Sequence, residues 1–141
     1  MFLTRQDLSA SLYPEIAGAI ANYSETIIRM QLARAEGEIE TYLANRYLIR
    51  PELEKVGEAR HEFLLGLARD LAIYHLYALQ ETIPEHREKR YDQAIAILRL
   101  IQKGESALPG VPMVPTELPA EGAGAIAWGS GKKRVQLSDV L

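Results

Sequence analysis

Between residues 25 and 103 the apolar side chains recur at steps of three and four, and this spacing limits the fold more than any other feature. Ile28, Leu32, Ala35, Ile39 and Tyr42 form one stripe. Leu64, Leu67, Leu71 and Ala78 form a second, and Tyr91, Ala94, Ile95, Leu98 and Ile101 a third. Residues three or four apart lie on the same face of an α-helix. No segment before Gly104 alternates apolar and polar residues as a half-buried strand would. The chain is therefore expected to be all-α, a small helical bundle of about four main helices. Its 141 residues suit one domain with a core large enough to fold without staples.

Helix ends can be read from caps. Thr4 with Asp7 three residues later predicts a short helix over 5–12, and Pro14 a second short turn through 21. Ser24 and Glu25 open a helix over 25–46. Arg50 precedes Pro51, which predicts non-helical backbone there and an extended 48–51 segment. A third main helix is expected over 58–79. Ala68, Ala72, Ile73, Tyr74, Leu76 and Tyr77 widen its apolar face until the last turns are nearly encircled, so it is central or covered by a partner. The fourth runs over 84–103, with Pro84 at its first position, Lys103 at its negative end and Gly104 as a left-handed stop. Gly37, in mid-helix, predicts a close helix crossing together with Ala33 and Ala44.

The character of the chain changes at Gly104. Four of seven prolines (109, 112, 115, 119) and five of ten glycines (110, 122, 124, 129, 131) follow it. Residues 1–104 are read as the helical bundle domain and 105–141 as an extended arm. The arm holds Trp128, an aromatic anchor with no core of its own, and the basic run Lys132, Lys133 and Arg134. Val135, Leu137, Val140 and Leu141 then suffice to add a short strand or turn to a neighbour. These residues are the expected partner-binding arm.

Several functions lose support at this level. There is no cysteine, which removes disulfides, thiolate metal sites and thiol nucleophiles. A net charge of −3 argues against broad phosphate-backbone binding. Arg5 and Asp7 come too early for a secretory signal, and the longest uncharged apolar run, 71–79, is too short for a membrane span. His61, His75 and His86 have no partner histidine four residues away, and Glu36, Glu38 and Glu40 read as a wet acidic face. With no convergent nucleophile, base and orienter, neither catalytic residues nor a metal or cofactor is expected. An arginine-rich recognition helix is also missing after residues 4–12, although a small helical DNA-binding regulator stays open as an alternative.

The remaining candidates are structural. Ile39, Tyr42 and Leu43 should face the bundle, while Arg46 and Tyr47 hold the turn after the second helix. Asp70, in the most apolar helix, needs a cation. Arg46 and Arg90, which precede Tyr47 and Tyr91 in a repeated dipeptide, are the candidates, and an Arg46–Asp70 contact is the expectation, with a surface Asp beside Arg69 as the alternative. Replacing Asp70 with Ala is expected to cost several tenths to a few kcal/mol.

The ordered set MFLTRQDL, AEGEIETYLANRY, RDLAIYHL, KRYDQAIAILRLIQKG and WGSGKKRVQLSDVL resembles a Mu-like phage and prophage family encoded among head morphogenesis genes. That family is similar in size and helical pattern to phage head–tail connector, or head-completion adaptor, proteins. The resemblance implies a ring of subunits between portal and neck or tail components, with partners limited to copies of itself and portal or neck proteins. It implies no specific nucleic acid, no membrane, and a place in the virion neck after assembly in the host cytoplasm. It assigns packing and assembly roles to Glu38, Ile39, Tyr42, Leu43, Arg46 and Tyr47, to Asp70, Ala72 and Tyr74, and to Arg90, Tyr91, Ala94, Leu98 and Gly104. Val135 departs from the pattern, standing where an aromatic residue is expected.

Overall fold

The computed structural model describes residues 2–9, 23–80 and 82–115. Among the described residues five α-helices follow in order: α1 (Arg5–Ser9), α2 (Glu25–Leu43), α3 (Ile49–Leu53), α4 (Glu62–Ala78) and α5 (Glu85–Lys103), with a 3-10 turn at Gly57–Ala59. The long helices α2, α4 and α5 pack against one another, α3 packs on α2, and α1 on α4. The only strand-like pairing among the described residues is an isolated antiparallel bridge between Tyr47 and Met113. The all-α expectation holds. The expected turn over 14–21 lies outside the described residues.

The stripes become the core. Ile28, Leu32, Ala35, Ile39 and Leu43 of α2 are buried against Leu64, Leu67, Leu71 and Leu76 of α4 and Ala94, Ile95, Leu98 and Ile101 of α5. The seven residues from Leu71 to Tyr77 are all buried except Tyr74, which is half-buried, so α4 is the central helix. Ala78, assigned to the inner stripe from spacing, is exposed at the helix end. Phe2 and Leu3 are fully buried too, which carries the N-terminal segment into the core.

Caps follow the local chemistry. Thr4 and Asp7 exchange bonds, Thr4 N to Asp7 Oδ2 at 2.7 Å and Asp7 N to Thr4 Oγ1 at 3.3 Å. Ser24 Oγ accepts from Ile27 N, as expected of the α2 N-cap. Gly104 ends α5 with φ 86°, a left-handed conformation that costs glycine little.

Four expectations need correction. The helix α2 stops at Leu43 rather than 46, because Tyr47 leaves the helical path to enter the bridge with Met113. Residues 49–53 are helical, with Arg50 and Pro51 in the first turn of α3. First-turn N–H groups have no acceptor within the helix, so proline loses nothing there. The helix expected from 58 begins at Glu62, after the separate 3-10 turn. Among the described residues, no atom beyond the adjoining residues and the helix's own backbone lies within 4 Å of where a Cβ on Gly37 would sit, and Ala33 and Ala44 are exposed, so the close crossing at Gly37 is not made among them.

Candidate functional site

The turn after α2 is built first from backbone. Arg46 N and Tyr47 N both donate to Leu43 O, closing the helix end. The chain then runs antiparallel to residues 112–114, with Leu48 N donating to Pro112 O and Val114 N to Arg46 O, both at 2.9 Å. Tyr47 is buried, and its hydroxyl accepts from Leu108 N at 2.9 Å. Leu108 and Val111 are buried in the same core. The packed part of the chain therefore continues ten residues past Gly104, and the boundary set there from composition falls too early. Residues 105–115 form a strap across the turn. Apolar residues at 108 and 111 were the signal, masked by the prolines around them.

His61 holds the strap from the other side. Its Nδ1 accepts from Leu64 N at 3.4 Å, which caps α4, and its Nε2 lies 2.7 Å from Pro109 O. The neutral ring satisfies both contacts when Nε2 carries the proton. A histidine N-cap gives no sequence signal like that of Ser or Asp, which is why spacing alone missed it.

Arg46 does not reach Asp70. Its guanidinium lies against the C-terminus of α5, where a Cβ at Gly104 would stand 2.6 Å from Nη1. A cation is favoured at that end of a helix by the unsatisfied carbonyls. Asp70 instead faces Arg90, Nη1 to Oδ1 at 3.6 Å, the second of the two arginines proposed for it. Burial raises the Asp70 carboxyl above its ordinary value, and the charges of Arg90, Arg87 and Arg69 only partly offset that.

A second polar cluster ties the three long helices together. Glu38 of α2 accepts from His75 Nε2 of α4 at 2.5 Å and from the Tyr91 hydroxyl of α5 at 2.9 Å. Tyr74 stacks on Tyr91 with centroids 4.0 Å apart, and the His75 ring meets Tyr91 edge-on at 5.6 Å. Burial opposes the Glu38 charge, yet the bonds from His75 and Tyr91 and the charges of His75 and Arg34 hold its carboxyl below the ordinary range. The same burial, with the Glu38 carboxylate alongside, pushes Tyr91 up to about 12. The Glu38 pairing joins residues 37 and 53 positions apart, a distance that helical periodicity cannot register.

The N-terminus is fastened likewise. Arg60 donates to Asp7 Oδ2 at 2.6 Å, Asp7 Oδ1 at 3.1 Å and Phe2 O at 2.7 Å, and Leu3 N donates to Glu36 Oε2 at 2.9 Å. Burial works against the Asp7 charge, but Arg60 and Thr4 outweigh it and lower its pKa. Glu40 pairs with Arg50 at 2.6 Å. Each of Glu36, Glu38 and Glu40 therefore has its own partner, and the wet-face reading of the three gives way to three separate cross-links.

Among the sequence-predicted residues, Ile39, Leu43 and Tyr47 are buried, Tyr42 and Tyr91 are half-buried against the core, and Tyr74 is half-buried on the Tyr91 ring. Trp128, Lys132, Lys133, Arg134, Val135, Leu137 and Leu141 lie outside the described residues. No group of three or more His, Cys, Asp or Glu able to hold a metal occurs among the described residues, and no helix there is long and apolar enough to cross a membrane.

Fold and contacts together define a small helical bundle whose buried polar side chains run between helices and from helices to a C-terminal strap. A family model described as Bacteriophage Mu, Gp36 matches residues 2–127, and the chain belongs to that phage family. The match spans the bundle and the strap and bears out the resemblance to a Mu-like phage family. No curated protein and no solved structure matches the chain.

Proposed function

We propose that this protein is a non-enzymatic structural subunit of the phage particle, a head–tail connector that forms a ring between the portal and the neck or tail components. The carrying observation is how its polar groups are used. The side chains best suited to acid–base work, Glu38, His75, Asp7 and His61, are each engaged by another helix, a cap or the strap. Such wiring makes a rigid unit, and rigidity is what a ring subunit requires, since many identical weak contacts add once the ring closes. Membership of a Mu phage family supports the setting. The partners are further copies of the chain and the portal or neck proteins, and the place of action is the virion neck after assembly in the host cytoplasm.

The test is co-sedimentation of the full chain with portal rings of the same phage, followed by negative-stain microscopy. Added density with the portal's rotational symmetry is the expected result. Failure to bind the portal, together with salt-dependent binding of duplex DNA, would replace the connector by a small DNA-binding regulator.

A further inference from the structure

We propose that the strap beyond its hinge, residues 108–115, is an exchangeable element that in the assembled form seats on the turn of a neighbouring copy. The proposal rests on the self-assembly reading above and names its interface. The seat and its occupant are both visible. The seat is the backbone at Arg46 and Leu48, the Tyr47 hydroxyl, and the His61 ring. The occupant supplies Leu108 N, Pro109 O, Pro112 O and Val114 N, with Leu108 and Val111 filling the core beneath. These polar contacts run to the α2–α3 turn and the start of α4, and none of them runs to α5, the helix the strap extends from.

The connection between α5 and the seat is short and open. Residues 104–107 are exposed, and Gly104 carries φ 86°. Glu105 N and Ser106 N remain on Leu100 O, so α5 keeps its own cap whichever seat the strap enters. Rotation within 106–107 is then enough to redirect the strap without breaking a helix. A neighbour offers an identical seat, so exchange conserves every contact. Because the strap of one copy enters the seat of the next, the contact is head-to-tail, the kind that closes into rings. The closed form described above stores the subunit as a monomer, and exchange releases it for assembly.

The absence of cysteine makes a clean assay possible. Leu48 N donates to Pro112 O, and both side chains are exposed. Residues opposed in an antiparallel pair stand within the roughly 4.4–6.8 Å that a disulfide spans. One full-length variant carries Leu48→Cys and a second, of distinguishable mass, carries Pro112→Cys. They are mixed, oxidised with and without portal rings, and digested for peptide mapping. A disulfide joining 48 of one chain to 112 of the other is expected in the mixture and absent from either variant alone. A further variant with four Gly/Ser residues inserted after Ser106 lets the strap reach its own seat without strain. It should lose most of the intermolecular product, since short connections favour exchange. Rings on the portal without the 48–112 link would overturn the exchange and leave the connector intact. The link without portal binding would uphold the exchange and remove the connector. Neither link nor rings would remove both.

Discussion

Replacing Glu38 with Gln tests the cross-link that joins α2, α4 and α5. The amide keeps the shape but removes the charge and one of the two acceptor oxygens, so the His75 and Tyr91 bonds lose their ionic acceptor. A hydrogen bond to a charged group contributes about 1.5–3 kcal/mol. The Glu38 side chain is 24% exposed, which places the expected loss at the lower end, about 2 kcal/mol. For a chain of this size that lowers Tm by roughly 6–10 °C. The pH dependence gives the sharper result. The folded pKa of Glu38 is depressed below 4.5, so its contribution is fully present above that value and disappears as pH falls through the folded pKa. The gap in Tm between wild type and Glu38→Gln, followed by circular dichroism, should be constant from pH 7 to about 5 and close toward pH 3. Tyr91 adds an alkaline limb. Its pKa is raised to about 12, so its bond is intact below the ordinary tyrosine value of 10 and is lost as pH rises toward 12. Equal melting curves at pH 7, or a gap that widens in acid, would refute the role given to Glu38.

Three further predictions address the glycines and the strap. Gly37→Ala should raise stability by about 0.5–1 kcal/mol, because its Cβ enters open space in mid-helix. Gly104→Ala should lower it by about 1–2 kcal/mol, because it forces a side chain into the left-handed region and displaces Arg46. Denaturant unfolding decides both, and effects of equal sign would contradict the geometry. Tyr47→Phe leaves the buried Leu108 N–H without its acceptor, at a cost of about 1–3 kcal/mol. Hydrogen exchange at Leu108 should accelerate well beyond that at Leu71, and unchanged protection would show that the strap is held by other means.

Local and periodic chemistry was enough to determine that three long helices exist and roughly where each lies. The three apolar stripes, the caps at Thr4 and Ser24 and the stop at Gly104 depend on residues within about one turn of each other, so their order along the chain carries the information. Membership of a phage family was likewise legible from the ordered motifs. What tertiary structure alone decided is which distant partners meet. Arg46 reached α5 and left Asp70 to Arg90, Glu38 gathered His75 and Tyr91, and Leu108 drew a proline-rich segment into the core. Long polar side chains can satisfy themselves with any complementary group within reach. The choice among such groups follows from the angle and offset at which three helices settle to fill a common core, and no local pattern encodes that arrangement.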